Sequence, residues 1–260
     1  MNLAKINRRK FILTAMMATS TAVVVDAGFV EPTWLETRRV RINGGQSGVR
    51  FAQISDFHHK GNRAYLQMVV DTINSLSPDF TCFTGDLVEK KKFLTETLEL
   101  LSGLKSPLFG VPGNHEYKSG VSFDPIFKCF AATGGAWLMD RQCIVAGGKI
   151  NLVGSSGISR HSLPPPHVTG AKNVLLMHYP AWAKDLGNRR FDLILTGHSH
   201  GGQVRIPLFG APFVPSLVDE YDRGLFESPA GPLYVNAGIG YISPCDFRFN
   251  CRPEITLFEI

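Results

Sequence analysis

Short apolar, β-branched runs recur along this chain, each broken off by a small or polar turn. The clearest occupy residues 49–54, 80–84, 108–111, 173–177 and 192–196, and runs of this length and composition predict buried strands. Further strands are expected at 40–42, 136–139, 142–145, 150–153, 233–236 and 254–259. Two stretches carry helical spacing instead. Residues 64–76 place Leu66, Val69, Val70 and Ile73 on one face, and residues 92–104 do the same through Leu94, Leu98 and Leu101. Each is followed by a Ser-Pro step, Ser77-Pro78 and Ser106-Pro107, where the residue before proline is steered out of the helical region. Strand–helix alternation in the first half predicts parallel pairing in an α/β sheet, and the hairpin-like second half predicts a mixed sheet. Phe123, Ile126, Phe127 and Phe130 also keep helical spacing; they read first as helix packing, with a cap over a functional site as the other reading.

The turns that end the five clearest strands carry metal-ligand side chains. They are Ser55-Asp56-Phe57-His58, Gly85-Asp86, Gly113-Asn114-His115-Glu116, His178, and Gly197-His198-Ser199-His200-Gly201-Gly202, which together hold five of the eight histidines. Open α/β sheets gather function outside the carboxyl ends of their strands. Two cations ~3.5–4 Å apart need a bridging ligand, several nitrogen and oxygen ligands and open positions for substrate. Residues two apart on an extended backbone point the same way, so Asp56 with His58, and His198 with His200, can each present two groups to one side. Imidazole, carboxylate and amide without thiolate suit Mn, Fe or Zn, manganese being the first expectation.

Asp56-x-His58, Gly85-Asp86, Gly113-Asn114-His115-Glu116, His178 and Gly197-His198-Ser199-His200, in that order, resemble the calcineurin-like metallophosphoesterase superfamily over residues 40–260. Within it, His200-Gly201-Gly202-Gln203 and the closing Arg252-Pro253-Glu254-Ile255 are similar to the exported bacterial branch of the YkuE and YaeI type. The resemblance implies a four-layer α/β/β/α sandwich of two mixed sheets. It implies that Asp56, His58 and His200 bind one metal, that Asn114, His178 and His198 bind a second, and that Asp86 bridges both. His115 would sit over the substrate phosphate and protonate the leaving group, while a metal-bridging hydroxide attacks phosphorus. The implied function is a dinuclear-metal hydrolase of phosphodiesters, monoesters or pyrophosphates on a small molecule or lipid, some members of the branch resembling UDP-2,3-diacylglucosamine pyrophosphatases of lipid A synthesis. The alternative is an envelope-anchored binding or structural protein that keeps the fold without turnover.

Charge and leader change where such a protein is expected to act. Lys5, Arg8, Arg9 and Lys10 against Asp26 supply three of the five net positive charges, so the remainder is only mildly basic and no nucleic-acid partner is expected. Arg8-Arg9-Lys10-Phe11-Ile12 precedes a moderately apolar stretch reaching about Val30. It resembles a twin-arginine export signal, making residues 1–30 a signal or anchor segment, the export machinery a partner, and the periplasm or the outer face of the cytoplasmic membrane the destination. Val25-Asp26-Ala27 is a weak cleavage site. Five cysteines cannot complete a disulfide framework; Cys82 reads as a buried thiol, and a Cys245–Cys251 bridge as the minor expectation.

Three features stand apart from the motifs. His59 reads as packing, with substrate contact as the other reading. His161 and His167 flank Leu163-Pro164-Pro165-Pro166, which reads as a rigid exposed loop. Residues 206–215 are apolar and proline-rich and cannot form a regular helix. They read first as a loop folded onto the core, and second as a pocket for an acyl chain or a surface resting on a membrane.

Overall fold

A computed structural model describes residues 16–17, 21, 23–45, 47–158, 168–243 and 245–260. Arg8, Arg9, His161 and His167 lie outside the described residues. The strands are β1 (Glu36–Arg41), β2 (Arg50–Ile54), β3 (Phe80–Phe83), β4 (Leu108–Gly110), β5 (Ala136–Trp137), β6 (Gln142–Val145), β7 (Ile150–Gly154), β8 (Lys172–Leu176), β9 (Leu193–Thr196), β10 (Gly224–Ser228), β11 (Gly231–Val235) and β12 (Glu254–Glu259). The helices are α1 (Arg63–Leu76), α2 (Leu94–Leu101), α3 (Asn114–Lys118) and α4 (Phe123–Ala132). They build two six-stranded mixed sheets, ordered β1-β12-β2-β3-β4-β5 and β10-β11-β9-β8-β7-β6. In the first, β2 to β5 run parallel and β12 is antiparallel to β2; in the second, β7, β8, β9 and β11 run parallel between antiparallel edges.

The central strands are buried on both faces, which is why they read as continuous apolar runs rather than alternations. Phe51, Phe80, Phe109 and Phe258 from the first sheet meet Leu152, Val174, Leu176, Leu193 and Leu195 from the second in the layer between them. Phe51 stacks on Phe80 at 4.9 Å and on Phe258 at 5.1 Å. Ala52, Ile54 and Phe83 face outward onto α1, α2 and α4. The outer face of the second sheet is closed by the 3₁₀ helix Pro180–Asp185, whose Trp182 and Ala183 cover Leu175, Ile194 and Val235.

Local chemistry fixes the helix ends. Asn62 caps α1 by accepting the N–H of Tyr65, and Ser77 closes it in the left-handed region before Pro78. The apolar face of α1 is Leu66, Val69, Val70 and Ile73, all buried, each contributing about 1.5–3 kcal/mol. In α4, Ile126 and Phe130 are buried against Phe83 and Trp137, so this helix packs on the sheet. Three differences from the sequence reading are local. β1 starts earlier than residue 40, because an edge strand keeps arginines that mask its pattern; β5 is cut to two residues; and β10, with its interleaved exposed positions, was not foreseen.

Two buried polar side chains knit the layers. Gln53 donates to Thr84 Oγ1 at 3.1 Å and to the Thr196 carbonyl in the other sheet at 2.9 Å. Arg248, fully buried, donates to the carbonyls of Ala237, Gly238, Gly240 and Cys251. That grip holds the turn whose Ile239 and Gly240 N–H groups donate to the Ser55 and Asp56 carbonyls. Ahead of β1, Ala27 is buried and accepts the Arg248 N–H, and the Glu31 carboxylate accepts the N–H groups of Asn250 and Cys251. No helix among the described residues is long and apolar enough to cross a membrane.

Candidate metal centre

The carboxyl ends of β2, β3 and β4 in one sheet and of β8 and β9 in the other meet at one edge of the sandwich. Asp56, His58, Asp86, Asn114, His178, His198 and His200 come together there, with His115 beside them. Five of these residues, Asp56, His58, Asp86, His198 and His200, hold left-handed φ values between 40 and 68°. Such conformations are strained for side-chain-bearing residues and gather at functional sites. Gly113 and Gly197 allow the close approach: a Cβ at 113 would collide with the Asp86 carboxylate, and one at 197 with Ser55 and Asp56.

The donor atoms fall into two clusters sharing one oxygen. Asp86 Oδ2 lies 3.2 Å from His58 Nε2 and 3.4 Å from His178 Nε2. On the first side His58 Nε2 is 3.1 Å from His200 Nε2, which is 3.5 Å from Asp56 Oδ1. On the second, His178 Nε2 is 3.1 Å from both Asn114 Oδ1 and His198 Nδ1. Ligand atoms about 3–3.5 Å apart are what a cation with bonds of ~2.0–2.2 Å requires. The outer ring nitrogens are anchored: His178 Nδ1 on the Thr84 carbonyl at 2.8 Å, His198 Nε2 on the Ser216 carbonyl at 2.9 Å, and His58 Nδ1 on Glu89 at 2.9 Å. An imidazole that donates outward turns a lone pair inward. His200 Nδ1 is buried without a hydrogen-bond partner. The residues present fit a pair of divalent cations.

Charge within the cluster is polarised. Burial opposes charge on His58 and His178, but Asp86 and Asp56, with Glu89 on His58 and the Thr84 carbonyl on His178, together outweigh it and lift both to about 9. Burial, reinforced by His178 and His58, pushes His198 down to about 3, and burial, reinforced by His58 and Arg248, pushes His200 well below its usual range. Asp86 is buried too, yet His178 and His58 hold it well below the ordinary carboxylate range. Burial also lowers His115, which is half-buried beside the cluster.

Two acidic residues complete the surroundings. Glu116 accepts the N–H groups of Asp86, Leu87 and Gly113 at 2.9, 2.6 and 2.6 Å, and burial with the nearby Asp86 lifts it to about 7. Glu89, which the sequence reading passed over, sits between two histidines: besides His58 it approaches His115 Nδ1 at 3.5 Å, and the two rings meet edge to face at 4.4 Å. The Gly85-Asp86-Leu87-Val88-Glu89 spacing was the available signal, hidden by the lysines at 90–92. His59 is turned elsewhere, onto Glu96 at 2.5 Å and the edge of Phe93. The five cysteines are free thiols; Cys82 is buried, and Cys251 donates to the His200 carbonyl while Cys245 is exposed. A cavity of about 320 Å³ opens over the cluster, lined also by Lys118, Tyr179 and Ile242.

A family model described as calcineurin-like phosphoesterase matches residues 49–202. Phosphodiesterase YaeI of Escherichia coli is 28% identical over 275 residues, spanning 98% of this chain and 99% of its own. The metallophosphoesterase YkuE of Bacillus subtilis is 28% identical over 288 residues, spanning 98% of each. UDP-2,3-diacylglucosamine pyrophosphatase LpxG of Chlamydia trachomatis is 29% identical over 316 residues, spanning 95% of each.

Proposed function

Because this chain belongs to the calcineurin-like phosphoesterase family, whose members are metal-dependent hydrolases of phosphate esters, we propose that it hydrolyses a phosphodiester or pyrophosphate with two divalent cations held at the sandwich edge. The observation that carries this reading is the single Asp86 oxygen lying between His58 and His178. Asp56, His58 and His200 would hold one cation, Asn114, His178 and His198 the other, and Asp86 both, with Mn, Fe and Zn the candidates for a mixed nitrogen and oxygen donor set and manganese the first to be tried. When bound, the pair supplies Lewis acidity and an activated water.

The chain's own groups then have separate tasks. His115 stands at the cavity wall outside the two donor clusters, and its imidazolium, which burial disfavours and the Asp86 and Glu89 carboxylates favour, gives the leaving oxygen its proton. Glu89 orients His58 and His115 from behind. Lys118 brings a positive charge to the cavity for the phosphoryl oxygens. Glu116 fixes the backbone that carries Asp86. The relatives named as a phosphodiesterase and a pyrophosphatase support diesters and pyrophosphates as substrates. The arginine pair at 8–9 supports a place on the outer side of the cytoplasmic membrane.

Metal analysis with bis-p-nitrophenyl phosphate turnover tests the reading. We expect close to two cations per chain and hydrolysis lost in Asp86→Ala. One cation or fewer in fully reconstituted wild-type protein would overturn it.

A further inference from the structure

Beside the metal centre lies a second cavity, of about 280 Å³ and almost wholly apolar, walled by Val204, Pro212, Phe213, Val214, Pro215 and Ile242. His200, Pro215 and Ile242 line both cavities, so the apolar pocket adjoins the place where a phosphate would sit. We propose that this pocket is an acyl-chain subsite, and that the substrate is a phosphate ester carrying a long alkyl or acyl tail. The inference rests on the phosphoesterase reading of the neighbouring centre and names the substrate class for it.

The pocket is built. Gln203, buried, donates to the Cys245 carbonyl at 2.8 Å and accepts the Ile242 N–H at 2.5 Å, pinning one wall. The other wall presses on Gly202, where a Cβ would collide with Ala211. Its polar side chains, Ser199, His200, Gln203 and Ser243, stand among a surface that is overwhelmingly apolar, and no Asp, Glu, Lys or Arg lines it among the described residues, so it suits methylenes better than a ribose or a sugar.

The mouth points the same way. Residues 206–215, expected first to fold onto the core, do not: Leu208, Phe209 and Phe213 are 103%, 86% and 84% exposed. The tip is a fixed turn, closed by paired hydrogen bonds between Ile206 and Gly210, with Leu208 at φ 70°. Its base pairs with Phe249, next to Arg248, whose N–H meets Ala27. On that flank Val24, Val25, Phe29 and Phe247 are exposed as well. An apolar border of this extent, joined to the apolar stretch that precedes it in sequence, is suited to a bilayer, from which a tail could enter the pocket.

The test is calorimetric titration of the manganese-loaded full chain with n-alkyl phosphates from methyl to octyl. A filled apolar site tightens Kd roughly fourfold per methylene. We expect that ladder in the wild type. It should flatten in Val204→Trp, which fills the pocket, and in Val214→Asp, a change on an exposed loop position, with unchanged Tm as the check that each variant is folded. Equal Kd for methyl and octyl phosphate in the wild type, or a ladder unchanged in both variants, overturns the proposal. Turnover of bis-p-nitrophenyl phosphate by the same preparation reports separately on the hydrolase reading: a ladder without turnover sinks that reading alone, and turnover without a ladder sinks the subsite alone.

Discussion

Asp56 accepts the backbone N–H of His198 on both carboxylate oxygens, at 3.1 and 3.0 Å. The bond joins the end of β2 to the end of β9 and so sets the two halves of the cluster against each other. Asp56→Ala removes a cation donor and leaves a buried N–H unsatisfied, at about 1–3 kcal/mol. We expect lower metal content together with a lower Tm of the metal-free protein, read by elemental analysis and thermal unfolding. Asp56→Asn keeps an acceptor and should recover much of the stability but little of the metal.

His115 and Glu89 separate proton delivery from positioning. His115→Ala should reduce turnover roughly 10²–10⁴-fold with metal content unchanged. Glu89→Gln should weaken metal affinity or activity about 10–100-fold, as losses of outer hydrogen-bond partners do, and should shift the pH profile that His115 imposes. Parallel metal and rate measurements distinguish the two.

Glu116 predicts a stability effect with no change in ligand set. Three backbone N–H groups converge on its carboxylate. Glu116→Ala orphans all three in a buried site and should cost about 3 kcal/mol or more. Glu116→Gln keeps acceptors for only part of the set and should fall between. Denaturant midpoints on metal-free protein decide this.

Cation loading should depend on pH through His58 and His178. Burial works against their charge, yet the surrounding acceptors, Asp86 foremost, together raise both to about 9 in the metal-free chain, so at neutral pH each carries a proton that a cation must displace. Loading should therefore release protons, and affinity should fall as pH drops below about 9, by up to tenfold per displaced proton per pH unit. Proton release measured with an indicator during metal titration checks the sign. Uptake instead of release would contradict it.

Replacing the arginine pair tests location. Arg8→Lys combined with Arg9→Lys should keep the protein out of the periplasm, since the twin-arginine route reads that pair. Normal periplasmic levels of the double variant would overturn the twin-arginine reading.

Much of the fold was legible because β2, β3, β4, β8 and β9 are buried on both faces and so keep continuous apolar runs that end at ligand-bearing turns. What those runs do not encode is which strand ends become neighbours. That Asp86 faces His58 and His178 depends on the sheet order and on Gln53 holding Thr196 across the layer. Glu89 was hidden because a glutamate before three lysines resembles a solvated charge run. The outward projection of Leu208 and Phe209 was not legible either, since composition cannot tell an apolar loop that packs from one that protrudes.

Arg248 has a consequence for the ligand the centre will accept. Peptide oxygens satisfy its guanidinium without neutralising it, and it lies close enough to His200 to help keep that imidazole uncharged. A fixed positive charge thus lies behind the centre, opposite the Asp86 and Glu89 carboxylates, before any cation arrives. With two cations added to it the balance would turn positive, so a neutral ester should be a poor guest and a charged phosphate a welcome one.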